Sequence, residues 1–298
     1  MGEYRIPSSR PDDFRRAIEH TSPIAAKCGS RHPIHGWRES ATGAACVLDK
    51  GPIRGDADRD AIAALLEYVF LPAARLCRLA YSLGVIDAEP MLAATVHDEI
   101  RQLPDPDHFF HGEYVLHIAT KAVRRWECPV VLVPTQAHVR TPDIAIDRHR
   151  IAIECRAHEI IDIQEWSFWE DFDHAQAKFR GWLASRPGWL GVLAVDLGAI
   201  GSPSLPDSCR SGPDLSVVAR NIDDGLRRHP DVAAAAVTWV GAVCEPSDDP
   251  GVAKVLRAGT ASGVRPWKTV DEKRRELLEI LLRKWPESPA VAFRSIRS

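Results

Sequence analysis

An α/β domain is predicted, a central mixed sheet flanked by helices with an α-helical N-terminal lead-in, and three stretches predict it. Apolar residues at 115, 118, 119, 122 and 126 recur at amphipathic-helix spacing just before the apolar run PVVLV at 129–133. Residues 142–156, PDIAIDRHRIAIECR, alternate as a β-hairpin does. Residues 170–184 then carry Phe172, Ala175, Phe179 and Trp182 on one helical stripe and lead into GWLGVLAVDL at 188–197, a buried strand by composition. The order is helix, three strands, helix, strand.

Around that core the chain divides into 1–107, an irregular N-terminal segment and helical lead-in; 108–243, the α/β core; and 244–298, a C-terminal loop and helix packing on it. Residues 1–57 are rich in Pro, Gly, Ser and charge, with a short helical candidate at 12–20 and an apolar patch at 44–48. His32 and His35 lie there three apart, with no carboxylate or cysteine beside them, and read as loop residues. From 58 onward Ile62, Leu65, Leu66, Val69, Leu76 and Leu79 trace a helix that Pro72 should kink and Gly84 terminate. A second helix is expected over 89–103, and LPDPD at 103–107 is turn material. Beyond the core strand at 188–197 come a Gly, Pro and Ser loop at 198–216, a helix near 215–229, an Ala- and Val-rich strand at 232–243 and another loop. Thr269 and Glu272 form a capping-box spacing before a leucine-rich helix at 270–285, and the tail AVAFRSIRS is short and basic.

Composition narrows the function. With 298 residues, 45% of them hydrophobic, the chain can build a substantial core, and no run approaches the roughly 20 apolar residues of a membrane span. The N-terminus lacks the basic-then-apolar layout of a secretory signal, so a cytoplasmic location is expected. Seven cysteines occur without a CxxC pair and read as reduced thiols rather than a disulfide framework or zinc site. The net charge of −3 gives no global attraction to nucleic acid, so any such binding requires a local basic surface.

The hairpin carries the chemistry. Turned at Arg148 and His149, or with a four-residue loop, it sets Asp143 opposite Glu154, Ile144 opposite Ile153 and Ile146 opposite Ile151. Every isoleucine then shares one face with Cys155, while Asp143, Glu154 and Arg156 share the other. Opposed side chains lie roughly 5 Å apart, where two carboxylates repel by about 3 kcal/mol at an effective dielectric near 20. Something positive belongs between them, either a divalent cation, which oxygen ligands favour, or Arg156.

The α-β-β-β-α-β succession, with Pro-Asp opening the second strand and IAIECRA closing the third, resembles the PD-(D/E)xK superfamily of restriction-endonuclease-like nucleases over about residues 108–200. That resemblance implies a restriction-endonuclease-like core, with Asp143 and Glu154 as ligands of Mg2+ or Mn2+ and Arg156 where the motif lysine, which positions or activates water, should stand. An arginine stabilises phosphate but does not act as a base near neutral pH. Lys178 in HAQAKF can supply an amine instead, and Gln176 flanks the same helix stripe, as in the Gln- and Lys-bearing helix of several relatives. Many relatives also carry a glutamate on the first core helix. Glu113 holds that position here, although a helical wheel sets it opposite the apolar stripe, with His117 as the alternative.

The expected function is metal-dependent phosphodiester hydrolysis of nucleic acid, DNA before RNA, in restriction, repair or defence. The alternative is a catalytically inactive nuclease-fold protein that binds nucleic acid or a protein partner, with a homodimer open. Trp166 and Trp169 suit base stacking or core anchoring, and Lys121, Arg124 and Arg125 suit phosphate contact or a solvated helix face.

Overall fold

Prolines that read as breakers instead start helices. The computed structural model describes residues 3–5, 11–50, 53–54, 65–127, 129–133, 140–158, 168–200, 215–244, 254–264 and 294–296, together with positions 272, 275, 276 and 278. After a short strand β1 (Glu3–Arg5), helices α1 (Pro11–Ala25) and α2 (Pro33–Asp49) pack on each other where an irregular cover was expected. Strand β2 (Ile53–Arg54) and a π-helical turn, Leu66–Phe70, follow; the turn runs into α3 (Leu71–Ala88), then α4 (Pro90–Gln102) and α5 (Pro106–Trp126). Pro33, Pro72, Pro90 and Pro106 each occupy a first helical turn, where the missing N–H has no partner to lose and the fixed φ suits a helix. Pro72 stands where the π-helical turn passes into α3, and Gly84 lies inside that helix rather than ending it. His32 caps α2, its Nδ1 accepting from the Ile34 amide at 3.2 Å, and Asp105 caps α5. The expected turn is present at 103–105, between α4 and α5, its last two residues, Pro106 and Asp107, open α5, and Glu113 sits two turns into that helix.

Strands β3 (Val131–Leu132), β4 (Ile144–Ile146), β5 (Ile151–Ala157), β6 (Leu190–Ile200), β7 (Val232–Cys244) and β8 (Lys254–Val264) form a six-stranded sheet in chain order, so the protein is α/β with a mixed sheet. The pairs β3–β4, β4–β5 and β7–β8 are antiparallel, while β5, β6 and β7 run parallel. The parallel strands are joined by α6 (Phe168–Ala184) and α7 (Leu215–Arg228). A three-stranded sheet of β2, β1 and β9 (Arg294–Ile296) stands apart from it. Strand β8 falls where a loop was expected, because Gly259, Gly263 and its Ala, Ser and Thr residues carry little strand signal; eleven residues of pairing with β7 supply it instead. Of the expected helix at 270–285 only positions 272, 275, 276 and 278 are described; they are helical, and Leu278 is buried.

Both faces of the large sheet are covered, which is why β6 and β7 read as near-continuous apolar runs. Ile144, Ile146, Ile151, Ile153, Cys155, Val192 and Ala234 pack with the N-terminal helices in one core. Ala145, Ala152, Leu193, Val195 and Ala235 pack with Phe172, Ala175 and Phe179 of α6 and Ile222 and Leu226 of α7. The lead-in helices thus share the sheet's core. Gly191 is required on β6, since a Cβ there would lie 2.5 Å from the Asp231 carbonyl and 2.6 Å from the Phe179 ring.

The segment Tyr68–Ala88 is long and apolar enough, by length and composition, to cross a membrane, a length the hydropathy reading above does not anticipate; most of it is buried in the core. Its two buried arginines explain how it sits there. Arg78 Nε donates to Glu113 at 2.6 Å and Nη2 to Asp196 at 2.7 Å, while Arg75 lies 3.7 Å from Asp196 with its guanidinium over the Trp37 and Phe110 rings. These ion pairs tie α3 and α5 to β6. Removing Arg78 would leave buried Glu113 uncompensated and Asp196 with only the longer contact to Arg75, so Arg78→Met is expected to lose about 3–5 kcal/mol of unfolding free energy in urea titrations. A change near zero would mean the pairs do not hold the helices to the sheet.

Candidate functional site

The hairpin register puts Asp143 and Glu154 together. Ile144 pairs with Ile153, Ala145 with Ala152 and Ile146 with Ile151, leaving a four-residue loop, Asp147 to Arg150. Its first three residues form one 3-10 turn, and Arg150 takes a left-handed conformation, φ 50°, to re-enter the sheet. The longer loop preserves the facing expected from the sequence: the isoleucines lie with the N-terminal helices, and the carboxylates face α6. Three main-chain contacts hold Asp143. Its amide donates to the Ile153 carbonyl at 3.0 Å, its carbonyl accepts from the Val133 amide at 2.9 Å, and its Oδ2 accepts from the Cys155 amide at 2.7 Å.

The positive charge between the carboxylates is Lys178. Its Nζ lies 3.2 Å from Asp143 Oδ1 and 2.8 Å from Glu154 Oε1. Two histidines complete the cluster: His111 Nε2 of α5 is 3.6 Å from Asp143 Oδ1, and His174 Nε2 of α6 is 3.3 Å from Glu154 Oε1. Residues 171, 174 and 178 form one helical stripe directed at β5, adjacent to the apolar stripe at 172, 175, 179 and 182. Asp171, His174 and His111 were not singled out in the sequence, although the spacing of Asp171, His174 and Lys178 was readable as a polar stripe.

Burial and charge set the protonation states. Burial raises Asp143, but His111, Lys178 and the Cys155 amide outweigh it and bring its pKa down to about 2. Glu154 is fully buried; desolvation and then the Asp143 charge push it well above the ordinary carboxylate range, against the opposing pull of Lys178 and His111. Burial pulls the Lys178 ammonium down, yet the two carboxylates raise it overall, so it stays charged. His174 is lowered to about 4 by burial and by Arg156 and Lys178, which leaves a neutral imidazole at pH 7. Among the described residues Glu154 Oε2 is buried with no hydrogen-bond partner.

Arg156 does not enter the gap. It shares the face of Glu154 but turns to α6, where Nε donates to Asp171 Oδ1 at 3.1 Å, and His158 Nε2 meets the other Asp171 oxygen at 2.9 Å. Glu113 is taken up by Arg78 on the opposite face of the sheet, as the helical wheel implied, and does not join the carboxylates. His117 is buried beside Tyr114, and no metal-ligating group forms around it among the described residues. Gln176 is engaged at the entry to β7, its Oε1 accepting from the Asp231 amide at 2.9 Å and its Nε2 bonded to the Asp231 carboxylate. Trp169 is partly exposed with Arg228 4.4 Å over its ring; Lys121 lies over Tyr81, and Arg124 is 3.4 Å from Glu89. Trp166 and the Arg125 side chain lie outside what the structure describes.

Among the described residues no three His, Cys, Asp or Glu side chains group as a metal centre. Two carboxylates nevertheless suffice for Mg2+, which keeps several of its waters and takes one or two carboxylates from a protein. The unpartnered, buried Glu154 Oε2 is an oxygen such an ion would satisfy. Beyond His108, whose Nε2 lies 2.5 Å from Glu99, a cleft of about 420 Å3 opens between α4 and the β3 edge, lined by Asp98, Glu99 and Arg101 among others. Comparison with family models, curated proteins and solved structures finds no match to this chain.

The two carboxylates should respond oppositely to neutralisation. Asp143, with its lowered pKa, contributes stability that is present above the unfolded carboxyl range and is lost as pH falls toward about 2; Asp143→Asn should cost about 1–3 kcal/mol at pH 7. Glu154, with its raised pKa, withdraws stability as pH climbs through that pKa. The melting temperature of Glu154→Gln relative to wild type, measured in EDTA, should therefore rise from pH 5 to pH 8. A relative fall over that range would contradict the assignment.

Proposed function

We propose that this protein is a metal-dependent phosphodiesterase acting on nucleic acid, DNA in preference to RNA, with a restriction-endonuclease-like core and a PD-(D/E)xK-type site. The observation that carries the reading is the convergence of Asp143, Glu154 and Lys178 on one point: the amine absent from position 156 of the strand arrives from α6. The topology supports it, since β3, β4 and β5 form an antiparallel meander and α6 leads to β6 parallel to β5, the order the resemblance implies.

Asp143 and Glu154 would hold a Mg2+ or Mn2+ ion, which supplies Lewis acidity and neutralises charge growing on the scissile phosphate. The chain's own groups do the rest. Asp143, ionised and fixed by three main-chain contacts, sets the geometry. Lys178 offers a half-buried ammonium that donates to a phosphate oxygen or orients attacking water, and partial desolvation strengthens that interaction. His174, neutral and partly exposed beside Glu154, is an acceptor at the mouth of the site.

A second reading draws on the same contact. Lys178 already neutralises both carboxylates, as a catalytically inactive scaffold that binds nucleic acid or a protein partner would require. The two readings separate on plasmid, single-stranded DNA and RNA incubated with Mg2+ or Mn2+ and with EDTA. The nuclease reading expects metal-dependent cleavage that falls at least about 100-fold in Glu154→Ala and in Lys178→Met. Equal cleavage by wild type and Glu154→Ala would overturn it, and no cleavage of any substrate would favour the scaffold.

A further inference from the structure

Asp171 sits in the first turn of α6, and its carboxylate is buried, at 1% exposure, under two side chains from the end of β5. Arg156 reaches it only through Nε, and among the described residues neither terminal guanidinium nitrogen has an acceptor. The Arg156 side chain is 34% exposed. His158 holds the second Asp171 oxygen, which fixes the carboxylate and through it the plane of the guanidinium.

Position relative to the centre gives the terminal nitrogens a purpose. Arg156 follows Glu154 by two residues on the same face of β5, a displacement of about 6.6 Å along the strand, comparable to the separation of successive phosphates in a nucleic-acid strand. A planar fork oriented in advance by a buried carboxylate gives up little further freedom when it takes a phosphate in bidentate fashion. A salt bridge serving only to fasten α6 to β5 would use the Nε contact and leave the terminal nitrogens without a role.

We infer that Arg156 is an anion subsite for the phosphate adjacent to the one held at Asp143, Glu154 and Lys178, and that Asp171 is its positioning residue. The inference rests on the nucleic-acid reading above and deepens it: the ligand is the phosphodiester backbone, contacted without regard to base sequence.

The test is fluorescence anisotropy of a labelled 20-nucleotide DNA with the full chain in EDTA, from 50 to 200 mM salt, so that cleavage plays no part. Arg156→Gln should weaken binding about tenfold at low salt and reduce the magnitude of the salt slope by about one. Arg156→Lys, which keeps the charge but loses the fork, should fall between them. Asp171→Asn should lose about threefold in affinity with the arginine still present. Arg15→Gln removes the same charge from an exposed arginine elsewhere, 2.9 Å from Asp12, and should bind as wild type does. Melting curves establish that each variant is folded, and Arg156→Gln alone decides the matter if Asp171→Asn is not. Wild-type affinity and slope in Arg156→Gln, or an equal loss in Arg15→Gln, would overturn the subsite while leaving the nuclease reading standing. Absence of DNA binding by wild type in EDTA would likewise overturn the subsite, and the nuclease reading is then decided separately by cleavage with Mg2+ or Mn2+.

Discussion

One ammonium shared by two carboxylates organises the functional side of this protein. Asp143 and Glu154 face the same side of a hairpin in an environment that excludes water, and neither carboxylate escapes the other without breaking the strand pairing. At such distances their repulsion, about 3 kcal/mol at an effective dielectric near 20, has to be met by a cation or a proton. Both appear. Lys178 contacts both groups, and Glu154 holds its proton well above the usual carboxylate range. The desolvation cost falls most on Glu154, whose second oxygen is buried with no hydrogen-bond partner among the described residues. A glutamine or a leucine there would avoid burying an ionisable carboxyl, and a buried carboxyl of raised pKa is a candidate functional group.

The rest of the fold holds that arrangement still. The isoleucine face of the hairpin is locked into the core built by the N-terminal helices, so the register that opposes Asp143 to Glu154 cannot slip by one residue without moving four isoleucines out of it. On the other face Phe172, Ala175 and Phe179 seat α6 on the sheet, and the neighbouring stripe of the same helix delivers Asp171, His174 and Lys178 to β5. The buried pairing of Arg78 with Glu113 and Asp196 anchors α3 and α5 across the opposite face, which in turn positions His111.

The hairpin was legible because its alternation is strict: Ile144, Ile146, Ile151 and Ile153 cannot share a face in any pairing that separates Asp143 from Glu154. The core helices and strands were legible for the same reason of period. Of the N-terminal helices, α1 was read only in part, at 12–20, and α2 not at all, because Pro11 and Pro33 carry the same signal whether they break a helix or begin one, and only the packing of α1 on α2 decides which. Strand β8 was hidden because Gly259, Gly263 and their small neighbours form a strand only through β7. Arg156 was one of two candidates, with a divalent cation, for the gap between the carboxylates, yet a buried Asp171, fourteen residues of intervening chain away, captures it. Glu113 was misassigned to the metal side because helix position alone does not say that Arg78 waits on the other face, although the helical wheel pointed that way. Lys178 was legible as a candidate, but its role follows from two distances that no spacing contains.

Lys178 stands where a cation would sit between the two carboxylates, and direct metal binding tests that placement. In calorimetric titrations of Mn2+ into wild type and Lys178→Met, the variant should bind about tenfold more tightly, since an ammonium 3.2 and 2.8 Å from the ligand oxygens no longer competes with the ion. Absence of Mn2+ binding by both proteins, or weaker binding by the variant, would contradict it.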